Sequence, residues 1–171
     1  MRYRYMAALA LLAVVVGCDD EPRGVAGLVA PIALASDGVR AYVVQEPGGT
    51  PERVTLTIHV EAKGIPVAAY QGKLQFDAEA LEILDASAPS EDGTRLVNPS
   101  AGPGIVRFAG FAAESFAHTM AVTLVVKPLK PLELANLLAT LDVVGEVSGT
   151  AVAKDRVVVQ RGVFTTTAAL R

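Results

Sequence analysis

From residue 37 onward, apolar and polar side chains alternate in short runs cut by clusters of glycine, proline, aspartate, asparagine and serine. The clearest run is Val54-Thr55-Leu56-Thr57-Ile58-His59-Val60. Val54, Leu56, Ile58 and Val60 fall on one face and Thr55, Thr57 and His59 on the other, the pattern of a strand with one wet side. The same period of two predicts strands over residues 39–44, 70–76, 81–84, 105–111, 121–127, 137–144 and 157–165. Within 70–76, Leu74 and Phe76 point inward while Gln71, Lys73 and Gln75 point outward. Glu46-Pro47-Gly48-Gly49-Thr50-Pro51 is a turn, and Asp77 is expected to close a second, tight turn through its carboxylate. The stretch 88–104, rich in Pro, Ser, Asn, Asp and Gly, is expected to be one long loop. Residues 132–138, after Pro131, have the composition of a turn or two of helix. No segment sustains a 3.6-residue period over a dozen positions, so the chain is expected to be all-β: an antiparallel jelly-roll β-sandwich of about eight or nine strands. Its expected core includes Leu56, Ile58, Leu74, Phe76, Leu81, Ile83, Phe108, Leu124 and Val159.

The amino-terminal end breaks this pattern. Arg2 and Arg4 precede an uninterrupted apolar run over residues 6–16, followed by Gly17-Cys18 and then Asp19-Asp20-Glu21. A run of that length is short of the ~20 residues needed to span a bilayer and has the layout of a signal peptide. Val15-Val16-Gly17-Cys18 resembles the bacterial lipobox, whose cysteine carries a diacylglyceryl thioether; Cys18 is the expected lipidation site. It is also the only cysteine of the chain, so no internal disulfide and no thiolate metal site can form. The expected layout is a lipoprotein signal peptide over 1–17, a tether over 18–36 interrupted by Pro22, Gly24, Gly27 and Pro31, a sandwich over 37–167 and a tail over 168–171. The domain is expected to be exported and held by its lipid at a bacterial membrane.

The 171 residues carry 15 Lys+Arg and 18 Asp+Glu. With the first 17 residues removed, both leader arginines go and the balance becomes −5, without a basic stripe; nucleic acid is not an expected partner.

Several segments of the domain, taken together, resemble a known family. Residues 54–60, 64–84, 104–110, 120–127 and 157–163 resemble the cohesin domain and the jelly-roll sandwiches it shares with carbohydrate-binding modules. The most specific piece is Leu74-Gln75-Phe76-Asp77 followed by Leu81-Glu82-Ile83-Leu84. The resemblance implies a non-enzymatic module whose partner is a protein or a polysaccharide. Cellulosomal cohesins bind dockerins through one sheet face; here that face implies Gln71, Lys73, Gln75 and Arg107 as the partner-binding residues, a polar surface short of aromatics. Cohesin-like domains also occur as solitary modules in envelope proteins. A structural accessory subunit of an envelope secretion or surface assembly is the alternative.

Chemistry is sparse elsewhere. Ser115 and His118 lie close in sequence, but no Gly-x-Ser-x-Gly elbow frames the serine, so no catalytic residue is assigned. Asp85, Glu91 and Asp92 are spaced too irregularly for a calcium loop, and the two histidines lie in different segments, so neither metal nor cofactor is expected. With no tryptophan, a glycan platform would fall to Tyr42, Tyr70 or a phenylalanine.

Overall fold

The computed structural model describes residues 34, 37–130 and 137–165. It contains nine strands: β1 (Gly38–Gln45), β2 (Val54–Lys63), β3 (Val67–Gln75), β4 (Leu81–Ser87), β5 (Thr94–Gly102), β6 (Ile105–Phe111), β7 (Met120–Pro128), β8 (Leu138–Glu146) and β9 (Val157–Thr165). Hydrogen bonding runs in the order β4-β7-β2-β1-β9-β8-β3-β6-β5. Because β9 meets β8 only at Leu138↔Arg161, the ribbon folds there into two leaves, β4-β7-β2-β1-β9 and β8-β3-β6-β5. β1 and β9 are parallel; the other pairs are antiparallel, as expected for a jelly roll.

The leaves close on one core. Val39, Val43, Leu56, Ile58, Leu124 and Val126 from the first meet Tyr70, Leu74, Val106, Phe108, Ala139 and Val144 from the second. Of the expected core, Leu56, Ile58, Leu74, Leu81, Phe108 and Leu124 are buried, and Phe76 and Ile83 pack partly against them. Val159 is a correction. It is 58% exposed, at the point where residues 160–162 of β9 stand against the single Tyr42 of β1 and the alternation breaks.

The wet side of β2 is a second correction: Thr57 is buried between its register partners Val44 and Thr123. Arg40, on the same side of β1, is buried as well and bonds Glu61 Oε2 (2.6 Å) and Gln160 Oε1 (2.7 Å).

The long loop expected over 88–104 holds strand β5 instead. Its apolar pattern is inverted, with Arg95 buried and Leu96 outside, so hydrophobicity hides the alternation. Pro99 is tolerated because β5 is an edge strand whose register with β6 shifts between Asn98 and Gly102. At the β5–β6 turn, Gly104 adopts φ +63°, and a side chain there would meet the Phe76 carbonyl. The Asp77 turn forms as expected: Oδ1 accepts the Glu79 N–H at 2.9 Å, and the chain re-enters the core at Leu81.

The expected signal peptide, Cys18, most of the tether and the helical turn expected over 132–138, apart from Leu137 and Leu138, lie outside the described residues. Leu34 is buried, and its carbonyl accepts a hydrogen bond from Lys63 Nζ (2.9 Å).

Candidate functional site

The outer surface of the β8-β3-β6-β5 leaf follows from alternation. Tyr70, Leu74, Val106 and Phe108 are buried, so the residues between them point away from the core. Strand register then arranges these residues in rows across the leaf. Gly145, Ala69, Phe111 and Thr94 form one row, and Val143, Gln71, Ala109 and Leu96 the next. Thr140, Lys73, Arg107 and Asn98 form the third, and Leu138, Gln75, Ile105 and Gly102 the last. All four residues expected to bind a partner, Gln71, Lys73, Gln75 and Arg107, therefore share this face, in neighbouring rows.

Its chemistry differs from the expectation of a polar surface. Leu96, Phe111 and Val143 are 59%, 56% and 53% exposed, and all three lie in the first two rows. The third row is charged. A register shift between Gln71 and Gly72 inserts Asp142 as an extra residue of β8. Its carboxylate faces Lys73 Nζ at 4.0 Å and Arg107 Nη1 at 3.9 Å. Two cations thus share one acid, and the Arg107 side chain stays 62% exposed. Within the second row, beside the charged one, small Ala109 leaves an open depression of about 250 Å³ bordered by Gln71, Leu96, Asn98 and Arg107.

The strands that carry Leu96 and Phe111 are anchored from behind. Arg95 pairs with Asp92 at a side-chain exposure of 1%. Its guanidinium lies 4.6 Å from the Phe116 ring centroid and donates to the carbonyls of Pro89 (3.4 Å) and His118 (3.3 Å). The other Asp92 oxygen accepts the N–H groups of Ala117 (2.7 Å) and His118 (2.8 Å). One carboxylate thereby ties the β4–β5 connection to the β6–β7 connection. Burial alone would raise its pKa; the Arg95 hydrogen bond and charge and the two backbone donors outweigh that and hold the carboxyl well below the usual range. Tyr70 leans over Gly110, where a side chain would strike its ring, and burial raises its pKa against the opposing pull of Arg95.

The remaining candidates are spread apart or engaged. His118 Nδ1 faces Asp92 at 3.4 Å rather than Ser115. Asp92 is occupied with Arg95 and two N–H groups, and among the described residues no group of three or more His, Cys, Asp or Glu could hold a metal ion. Tyr42 is packed by His59 (5.2 Å, near-parallel), Arg40 (5.1 Å) and Phe164 (5.9 Å, edge-on), and Tyr70 is buried, so neither tyrosine is a platform for a sugar ring. Burial lowers the His59 pKa, against opposing effects of Glu46 and Glu61.

No protein-family model matches the chain, and no curated protein matches it. Solved structures are. The cohesin module of a family 33 glycoside hydrolase from Clostridium perfringens superposes with a TM-score of 0.56 at 14% identity, covering 76% of this chain and 99% of that one. The sixth cohesin of scaffoldin B from Acetivibrio cellulolyticus, in complex with a Cel5 dockerin mutant, gives 0.54 at 14% identity over 76% and 99%. The cohesin of the OlpC–Doc435 cohesin–dockerin complex from Clostridium thermocellum gives 0.52 at 14% identity over 80% and 99%. The fold is that of cohesin modules.

Proposed function

We propose that this chain is a non-enzymatic protein-binding module of the bacterial envelope, anchored by a lipid on Cys18, and that its partner docks on the outer face of the β8-β3-β6-β5 leaf. One observation carries the docking face: Leu96 and Phe111, each more than half exposed, lie diagonally adjacent on β5 and β6 beside a charged row, with the half-exposed Val143 on β8 at the other end of the row that holds Leu96. A solvated sheet face is polar, and a clustered apolar patch on one marks an interface. The likeness to cohesins, two of them in complex with dockerins, supports a protein partner over a polysaccharide. The lipobox-like Val15-Val16-Gly17-Cys18 supports the anchor.

The test is affinity purification of the tagged lipoprotein from detergent-solubilised envelopes. Wild type is expected to retain one protein in stoichiometric amount, and the Leu96→Asp/Phe111→Asp variant to lose it while keeping its melting temperature. Retention that survives both changes, or retention by polysaccharide alone, overturns the docking face. Mass spectrometry of the mature amino terminus tests the anchor: acylated Cys18 is expected, with Cys18→Ser releasing the protein from membranes. An unacylated wild-type terminus overturns it. Two acyl chains are needed for durable attachment, since a single chain holds only marginally.

A further inference from the structure

We infer that the apolar residues 25–33 are not a free spacer but a strap seated on the outer face of the β4-β7-β2-β1-β9 leaf, which turns this leaf toward the anchored end of the chain. The strap is argued from the fold and the sequence; its consequence for orientation rests on the anchor proposed above.

The two outer faces of the sandwich differ. On the β8-β3-β6-β5 leaf, Leu96, Phe111 and Val143 are more than half exposed. On the other leaf, alternation turns Arg40, Tyr42 and Val44 of β1 and Thr57, His59 and Glu61 of β2 away from the core. Register with Val44 and the edge-on contact with Tyr42 put Phe164 of β9 on the same side. Yet Phe164 and Thr57 are 1% exposed and Arg40 is 3% exposed, and none of the three belongs to the core between the leaves. Outward residues of a bare sheet meet water, so a phenyl ring and a central threonine cut off from it lie beneath a further layer.

The occupant follows from where the chain enters and what it carries. Leu34 is buried, also outside that core, and its carbonyl accepts a hydrogen bond from Lys63 Nζ, the next outward residue of β2 after Glu61. The chain thus arrives at β1 from this side. Upstream, no charged residue stands between Arg23 and Asp37, and Val25, Leu28, Val29 and Ile32 are large aliphatics. A spacer that stays in water is rich in Gly, Ser or charge, which fits 19–23 and not 25–33. Extended, residues 25–33 reach ~30 Å, and adjacent strands are ~4.8 Å apart, so the strap can cross β9, β1, β2 and β7. The other long stretches outside the described residues, 131–136 and 166–171, are shorter, and the second has Leu170 as its only large apolar side chain. With the strap seated, residues 19–24 alone separate the anchor from the domain, ~20 Å at full extension.

The full-length chain, purified in detergent in a Cys18→Ser background, is given one reporter thiol, Thr57→Cys, with Val44→Cys on the same face taking its place where the first does not fold. The thiol is expected to react slowly with a maleimide. Leu28→Asp/Ile32→Asp should speed that reaction about tenfold, the ratio for ~1.4 kcal/mol of lost docking, and lower the melting temperature by about 5 °C. Pro22→Asp, outside the strap, should change neither. Rapid labelling with the strap intact, a rate that Leu28→Asp/Ile32→Asp leaves as it was, or the same acceleration by Pro22→Asp overturns the inference. Cys18 takes no part in this readout, so failure of the lipid anchor and failure of the strap are told apart.

Discussion

Replacing Asp92 with alanine removes the anionic partner of a guanidinium whose side chain is 1% exposed. Breaking a buried ion pair from one side costs ~3–5 kcal/mol, because the surviving charge stays in poorly solvated surroundings. The lower end applies here, since Arg95 keeps the Pro89 and His118 carbonyls and its place over Phe116. A loss of ~3 kcal/mol in a domain of this size lowers the melting temperature by about 10 °C. The Asp92→Ala/Arg95→Leu double variant removes the stranded charge and should recover much of that loss. Thermal unfolding followed by circular dichroism measures all corners of the cycle. Losses below ~1 kcal/mol in each single variant, adding without coupling, would refute a buried pair as the tie between the two connections.

The same carboxylate predicts an acid dependence. Asp92 binds its proton more weakly in the folded chain than in the unfolded one. The stability it contributes is therefore complete above the unfolded carboxyl pKa of about 4, and is lost as pH falls from there towards the lower folded value. Between about pH 5 and pH 2, wild type should lose more melting temperature than Asp92→Asn. Parallel pH profiles of the two proteins would contradict this.

Phe108→Ala, at a buried ring between the leaves, should cost ~3–5 kcal/mol by leaving a cavity, and Phe76→Ala, at a partly buried ring, measurably less; denaturant titration ranks them. Val159→Lys should change stability by no more than ~0.5 kcal/mol, whereas Val43→Lys should prevent folding, and soluble yield with thermal melts distinguishes them. Gly104→Ala combines a left-handed backbone with a clash on the Phe76 carbonyl and should lower the melting temperature although the added group is a single methyl.

Period-two alternation made most of the architecture legible, and it located β6 and β9 to the residue. It failed at β5 for a physical reason. Arg95 can be buried because Asp92 and two carbonyls receive its guanidinium, and Leu96, next along the strand, is thereby turned outward. Both reverse the expected polarity, so a short edge strand containing Pro99 had the composition of a loop. Alternation also contained Phe111, which follows Arg107 and Ala109 on the same outward side. Leu96, diagonal to Phe111 on β5, was hidden with that strand, and without the two together the face looked polar. Asp142 was illegible for another reason: the shift in β8 register depends on pairing with β3, which no local pattern records.

The two ends of the hydrogen-bonded ribbon bear on how a partner can attach. β4 and β5 are the edge strands, and exposed edges recruit foreign strands unless they are disrupted. Each is disrupted here. The register of β4 against β7 shifts between Ile83 and Asp85, and β5 carries Pro99 within its own shift from Asn98 to Gly102. Strand addition at either edge would meet an irregular ladder, and at Pro99 a missing donor. What the leaf offers instead is its flat side, with Leu96, Phe111 and Val143 beside Lys73, Arg107 and Asp142. A partner docking there, as proposed, would be recognised by side-chain shape and charge, which single substitutions on the face can change while the strands beneath keep their pairing.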